Sequence, residues 1–293
     1  MFRFAKASIN TNPEFLDSSV LLVKKTIIAH AHIFKNAGTT IDWILERNFG
    51  SGFQDDRDDT RMRKEREYIF EVLKAKPKLR ALSSHSLRLP VPSSDVWDVH
   101  TIVMLRDPML RVRSVYDFER KQVADTPGAQ NAKRMNIAEY VAWRLQDDVA
   151  PTIRNMQIRY LTSNSMPQRF SPTSEYLEEA ISFVEKNPLI GVVELFDESV
   201  VLFSEHFSKT EFEIDFSYQK QNVSRARAVS REERLAELES DLGAELYARL
   251  MSANELDMQL YEFTKAAVVK RFELVDGADQ KLDDLRSACR ALA

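Results

Sequence analysis

The chain has 293 residues, of which 44% are hydrophobic and 29% are charged, and its formal net charge at pH 7 is -4. These values are typical of a globular protein with room for one large domain or two small ones. The slight acidity argues against nonspecific nucleic-acid binding, which requires a basic surface. The single cysteine, Cys289, excludes an internal disulfide and a cysteine metal cluster, and we expect it to pack within the last helix.

The sequence contains no candidate membrane span. Residues 1–20 carry charges together with asparagine and proline, and no stretch approaches the roughly 18 consecutive apolar residues that a spanning helix needs. We therefore predict a cytoplasmic protein that spans no membrane and has no N-terminal anchor.

The most informative stretch is an apolar run over residues 26–34 that leads directly into an amphipathic pattern over 41–49. This order predicts a buried strand, a tight loop and a helix. The unpaired N–H groups and the positive dipole end at a helix N-terminus attract anions. Gly38 allows close approach of a ligand to the backbone, while lysine and threonine side chains add donors. The pattern predicts a phosphate-binding loop formed by Lys35, Asn36, Ala37, Gly38, Thr39 and Thr40.

A second strand–loop–helix unit follows about seventy residues later. Residues 101–105 are a buried-strand run, after which Arg106 precedes Asp107 and Pro108. Aspartate is a favoured N-cap and proline suits the first helical position. Ser114 lies off the apolar stripe of the predicted helix and is free to face a cleft. The same physics therefore predicts a second anion site at Arg106.

A short strand over 79–83 places His85 at its carboxyl end, where open α/β sheets bind ligands. A further strand is predicted over 189–193. From residue 126 onward the patterns are mostly helical. Ser174 is predicted to cap a helix, and capping boxes are predicted at Asn136 with Glu139, Ser230 with Glu233, and Ser252 with Glu255.

Two polar stretches are predicted to lie on the surface. The alternating charges over 55–67 are typical of a solvated loop or helix face. Arg225 and Arg227 belong to a basic loop over 221–227, and they either close over a nucleotide or remain in solvent.

Together these patterns predict an α/β fold with a P-loop-like parallel sheet flanked by helices and a helix-rich C-terminal half. We expect one domain over 1–293, with a cofactor core at about 26–125 and a helical acceptor-side and C-terminal part at about 126–293.

The phosphate-loop pattern is not a Walker A sequence, because the lysine precedes the glycine instead of following it. The pattern H-x-x-K-x-x-G-T-[ST] at 32–40 resembles the 5′-phosphosulfate loop of sulfotransferases that use 3′-phosphoadenosine 5′-phosphosulfate (PAPS). The pattern R-D-P-x-x-R-x-x-S-x-Y at 106–116 resembles their 3′-phosphate motif. The closest likeness is to the carbohydrate, heparan sulfate 2-O-sulfotransferase-like group. Weaker likenesses lie at 155–161, 191–196 and 222–224, while Phe34 and Asn36 replace the commoner proline and threonine.

The resemblance implies an enzyme that transfers a sulfuryl group from PAPS to a hydroxyl of a carbohydrate. It assigns Lys35 to the bridging oxygen, Arg106 and Ser114 to the 3′-phosphate, and His85 to the role of general base. His32 is expected to orient the loop. The resemblance implies no metal. His30 and His32 are two residues apart on the predicted strand and so point to one face, where they could form a metal pair, but no third ligand is evident nearby.

Two other functions fit the same strand–loop–helix pattern. An ATP-dependent kinase or NTPase would require Mg²⁺, and the missing G-K-[ST] weighs against it. A noncatalytic nucleotide-binding protein would bind adenosine 3′,5′-bisphosphate without transferring a group. The site residues also have ordinary alternatives: Lys35 at the surface, Arg106 paired with Asp107 or another carboxylate, Ser114 as a tolerated helix serine, and His85 as a hydrogen-bonded structural histidine.

Overall fold

The structure is a computed structural model that describes residues 24–56, 59–162, 171–219 and 230–292. Its centre is a five-stranded sheet in the order β2-β3-β1-β4-β5, and all neighbouring strands are parallel. The strands are β1 (Lys25–Ala31), β2 (Phe53–Asp56), β3 (Ala81–Ser84), β4 (Trp97–Leu105) and β5 (Ile190–Val192). The predicted α/β class with a parallel sheet is confirmed.

Helices flank this sheet and make up most of the C-terminal half. They are α1 (Gly38–Phe49), α2 (Asp59–Lys64), α3 (Tyr68–Ala75), α4 (Pro108–Lys121), α5 (Pro127–Arg134), α6 (Ile137–Arg144), α7 (Ser174–Lys186), α8 (Phe196–Phe207), α9 (Arg231–Leu242), α10 (Ala244–Ala253), α11 (Glu255–Glu273) and α12 (Ala278–Ala291). Among the described helices, none combines the length and apolar character needed to cross a membrane.

Strand β1 is buried on both faces because its side chains alternate between two helical layers. Ile27, Ala29 and Ala31 belong to the core cluster that includes residues of α7 and α11. Ile28 points to the other layer, where it packs with residues of α1 and α8. The continuous apolar run that predicted a buried strand is explained by this two-sided burial.

The strand order sets the position of the candidate site. β1 lies between β3 and β4, and its last residue, Ala31, pairs with Ser84 on one side and Val103 on the other. The segments that leave these three strands therefore emerge at one edge of the sheet. They carry the Lys35 loop, His85 and Arg106.

Several local predictions are confirmed. The Asp107 side chain accepts hydrogen bonds from the N–H groups of Met109 and Leu110, and Pro108 is the first helical residue of α4. The capping boxes that begin at Asn136 and Ser230 are both present.

Three local predictions are wrong. Residues 53–56 form the edge strand β2, with Asp56 buried, so this part of the charged stretch is not a solvated loop. Ser174 is the first residue of α7, and its N-cap Thr173 makes no side-chain cap bond. Ser252 lies inside α10, and α11 begins after Asn254, whose amide bonds to Ile153 O and Leu250 O instead. The predicted capping box fails because the neighbouring segment supplies the polar contacts.

Candidate functional site

The loop between β1 and α1 leaves a set of backbone donors unused. Lys35 and Ala37 adopt left-handed conformations, with φ of 67° and 58°. The N–H of Asn36 donates to Ile33 O at 3.2 Å and that of Thr40 to Ala37 O at 3.0 Å. Toward the described residues, the N–H groups at 37–39 donate no hydrogen bond. Together with the dipole of α1, these three groups form a cradle for an anion.

Two buried side-chain amides, those of Asn36 and Gln157, join this loop to the segment after β4. Asn36 Nδ2 donates to Met104 O at 2.8 Å and to Gln157 Oε1 at 2.6 Å. The same Gln157 Oε1 accepts from the Arg106 N–H at 2.8 Å, and Gln157 Nε2 donates to Arg106 O at 2.9 Å. The Nδ2 group of Asn36 therefore helps to fix the shape of the loop.

Arg111 belongs to the second motif, and its side chain is hydrogen-bonded to the backbone at the start of the Lys35 loop. Its side chain is buried, and its Nε donates to Phe34 O at 3.0 Å while Nη1 donates to Thr152 O at 2.8 Å. Burial lowers the pKa of Arg111 to about 10, so the guanidinium is still protonated at neutral pH. A fixed positive charge therefore contacts the backbone of Phe34, at the start of the Lys35 loop.

Lys35 and Arg106 lie side by side. Arg106 Nη1 donates to the Lys35 carbonyl at 3.0 Å. The Lys35 ammonium lies 4.3 Å from the ring centre of Phe118, which is 39% exposed, in a cation–π contact. Burial lowers the pKa of Lys35, and the nearby Arg106 charge adds to this effect. The two basic residues singled out in separate motifs therefore share one site.

The ordinary alternative for Arg106, an ion pair with Asp107 or another carboxylate, is met by Glu194 and not by Asp107. The Asp107 carboxylate caps α4 and accepts a hydrogen bond from Arg231 Nε at 2.7 Å. The carboxylate near Arg106 belongs to Glu194, at 4.0 Å, and burial raises the pKa of Glu194. Ser114 is half-buried on α4, about 9 Å along the helix axis from its first residue.

His85 follows β3, so it lies on the side of the Lys35 loop that is opposite to Arg106, which follows β4. Its Nδ1 lies 3.0 Å from the His32 carbonyl oxygen. A carbonyl only accepts, so Nδ1 carries the proton and, in the neutral ring, Nε2 carries the lone pair that a general base needs. The imidazole rings of His32 and His85 also pack together, with centroids 4.0 Å apart.

A carboxylate that was not singled out in the sequence holds two histidines. Asp42 Oδ1 lies 2.7 Å from His30 Nδ1, and Asp42 Oδ2 lies 2.7 Å from His32 Nδ1. The two histidines lower the pKa of Asp42 although burial opposes the shift. Asp42 is ionised and accepts both hydrogen bonds, so both rings carry a proton on Nδ1.

The same three side chains are the kind that bind zinc, and Asp42 is the third group that the sequence analysis did not find. A zinc ion held at tetrahedral angles would separate two such ligand atoms by about 3.4 Å. The observed separations of 2.7 Å are instead those of charge-assisted hydrogen bonds. In this structure the three side chains are joined by hydrogen bonds.

Comparison with known proteins gives one informative relationship. No model of a known protein family matches the chain. Over 248 residues the chain is 31% identical to an uncharacterized protein from Archaeoglobus fulgidus, and the match covers 82% of this chain and 96% of the archaeal protein. The two proteins belong to one family. The name of this relative assigns no activity, so the function has to be argued from the site.

The fold brings most of the predicted site residues to one edge of the sheet. Lys35, the cradle at 37–39, Arg106 and His85 are linked there through the contacts described above. Sequence reasoning missed Asp42 and Gln157. Asp42 is four residues after Gly38, so helical spacing was a usable signal. Gln157 offered no signal, because its partners are 51 and 121 residues away in sequence.

Proposed function

We propose that this protein is a PAPS-dependent sulfotransferase that acts on a hydroxyl of a carbohydrate or glycoconjugate. The observation that carries the proposal is the hydrogen bond from Arg106 Nη1 to the Lys35 carbonyl at 3.0 Å. It brings the two motifs that resemble those of sulfotransferases to one site. A donor with phosphate groups on the 3′ and 5′ positions of its ribose suits two such cationic centres, each beside a strand end.

The residues have separate tasks in this proposal. The N–H groups at 37–39 and the Thr39 and Thr40 hydroxyls hold the 5′-phosphate. Arg106 and Ser114 contact the 3′-phosphate. Lys35 stabilises the negative charge that develops on the bridging oxygen as the sulfur–oxygen bond breaks.

His85 completes the reaction on the acceptor side. Its Nε2 accepts the proton of the acceptor hydroxyl while the acceptor oxygen bonds to sulfur. The products are a sulfate ester and adenosine 3′,5′-bisphosphate, and the proton remains on His85. In-line transfer of this kind depends on positioning and on charge stabilisation.

The test combines nucleotide binding with transfer of labelled sulfate from PAPS to a panel of carbohydrates. We expect Lys35→Ala to lower turnover by about 10²–10³-fold and His85→Gln by about 10²–10⁴-fold. Lys121→Ala is the matched control, because it removes an exposed lysine charge near Lys35 but outside the loop. Unchanged turnover in both site variants would refute the assigned roles.

Calorimetric titration with adenosine 3′,5′-bisphosphate needs no acceptor and distinguishes the other functions. We expect this nucleotide to bind more tightly than ATP with Mg²⁺. The opposite order would favour a kinase or NTPase. Tight binding of the bisphosphate without transfer to any acceptor would favour a noncatalytic nucleotide-binding protein.

A further inference from the structure

The imidazole of His32 fills the space left by the missing side chain of Gly38. A Cβ atom added to Gly38 would lie 2.1 Å from His32 Cδ2, 2.3 Å from Nε2 and 2.6 Å from Cγ. Gly38 is the first residue of α1, and its N–H is the middle donor of the cradle. The edge of the His32 ring therefore forms part of the wall of the anion site.

The same His32 residue also positions His85. The His85 ring packs on the His32 ring, and His85 Nδ1 donates to the His32 carbonyl. His32 is thus a wedge between the cradle and the candidate base. A rotation of this ring would disturb both neighbours.

Asp42 determines the orientation of the wedge. Its carboxylate accepts from His32 Nδ1 at 2.7 Å, which fixes the ring rotation and leaves the lone pair on Nε2, beside Gly38. The other charged or titratable groups around His32 are His30, Asp55 and His85. Within the described structure, Asp42 is the carboxylate that hydrogen-bonds to the ring.

We propose that Asp42 is a positioning residue that holds His32 as its Nδ1–H tautomer and thereby sets the place of His85 relative to the anion cradle. The catalytic part of this proposal rests on the proposed sulfotransferase function, whereas the tautomer part does not. Asp42 touches no reacting atom and acts through His32.

Asp42→Asn is a sharp test because an amide has one acceptor oxygen and one donor nitrogen. The amide introduced by this substitution can accept from only one of the two Nδ1–H groups. Its NH₂ group then faces the second ring, which must present an unprotonated Nδ1 and carry its proton on Nε2. The substitution therefore converts either His30 or His32 to the other tautomer without a large change in volume.

The experiment measures the histidine tautomers by long-range ¹H–¹⁵N NMR in the wild type, Asp42→Asn and Glu46→Gln. The control Glu46→Gln removes an exposed carboxylate one turn further along α1. We expect Nδ1–H on His30 and His32 in the wild type and the control, and one Nε2–H in Asp42→Asn. Where His32 is the ring that changes tautomer, turnover in Asp42→Asn should fall by up to about 100-fold, as expected when a base is misplaced.

Three results would overturn the proposal. The first is an Nε2–H tautomer of His32 in the wild type, a measurement that stays decisive if Asp42→Asn does not fold. The second is an Asp42→Asn protein with wild-type tautomers, or one in which His32 changes tautomer while turnover stays at the wild-type value. The third is a stoichiometric metal in the purified wild type that is lost in Asp42→Asn, which would make His30, His32 and Asp42 a metal centre. Wild-type protein with the expected tautomers but no sulfuryl transfer would instead refute the proposed function alone.

Discussion

At the scale of single residues, the loop depends on one close contact and two unusual backbone conformations. Lys35 and Ala37 have positive φ values, which cost free energy in residues with a side chain. Bonds to fixed partners hold this shape, since Arg106 and Arg111 donate to the carbonyls of Lys35 and Phe34. Strained residues that are held from several sides are typical of functional sites.

The first prediction at this scale concerns Gly38→Ala. The new Cβ would overlap the buried His32 ring, which Asp42 prevents from moving aside. We expect a loss of about 1–3 kcal/mol in the free energy of unfolding, as found for overpacked cores, and weaker binding of adenosine 3′,5′-bisphosphate. Urea unfolding and calorimetric titration measure the two effects.

Gly52→Ala is the matched control for this substitution. The nearest atoms to its added Cβ lie at 3.5 Å, an ordinary van der Waals separation. We expect nearly unchanged stability and nucleotide affinity in this variant. Equal effects in the Gly38 and Gly52 variants would contradict the wedge contact.

At the scale of elements, polar pairs fix how the helices sit on the sheet. His100 on β4 and His206 on α8 share a hydrogen bond of 2.7 Å between Nδ1 and Nε2. One ring must donate and the other accept, so this bond requires that at least one ring is neutral. Burial lowers the pKa of His206, and the neighbouring His100 and Lys209 add to the shift. The contact between β4 and α8 should therefore depend on pH.

A second prediction follows from the direction of this shift. Because the pKa of His206 in the folded state lies below its ordinary value of 6.5, the unfolded chain binds more protons between these two values. The contribution of His206 to stability is complete above about pH 6.5 and falls as the pH drops toward the lowered value. Urea unfolding at about pH 8 and about pH 5 should show a smaller pH-dependent loss in His206→Gln than in the wild type. An identical loss in both proteins would rule out this contribution.

At the scale of the whole molecule, residues of the C-terminal half hold the loops of the candidate site in place. Asp257 on α11 accepts hydrogen bonds from the N–H groups of Gln157 and Ile158, at 2.9 and 2.8 Å. Gln157 in turn binds Asn36 and Arg106, which belong to the loops after β1 and β4. A chain of hydrogen bonds therefore runs from a late helix to both halves of the candidate site.

The third prediction tests this connection with Gln157→Leu. The substitution keeps a similar volume but leaves the Arg106 N–H and one Asn36 amide proton without their partner. Each unsatisfied buried donor costs about 1–3 kcal/mol, so we expect a loss of about 2–6 kcal/mol in the free energy of unfolding. Affinity for adenosine 3′,5′-bisphosphate should fall as well, because both loops lose their common anchor.

Gln259→Leu serves as the control, since this glutamine is exposed on α11. We expect its stability to change by less than about 0.5 kcal/mol, as at most surface positions. If Gln157→Leu were as stable as Gln259→Leu, the proposed link between the C-terminal helices and the loops would be wrong.

The sequence alone determined the features that depend on neighbouring residues. Apolar runs marked every strand of the described sheet except the edge strand β2, and the Asp107–Pro108 pair marked the start of α4, because burial and capping are local patterns. The order of strand, loop and helix also located Lys35 and Arg106. The basic loop that carries Arg225 and Arg227 lies outside the described residues.

Only the tertiary structure decided which of these features meet. The parallel order β3-β1-β4 brings His85, Lys35 and Arg106 to one edge, and spacing along the chain does not encode that order. Asp42 reaches His30 and His32 because α1 packs along β1. Gln157 reaches its partners because Asp257 of α11 holds the segment around Gln157 against the two loops. Contacts between distant segments depend on how the layers pack, which is why the supporting residues of the site were visible only in the folded chain.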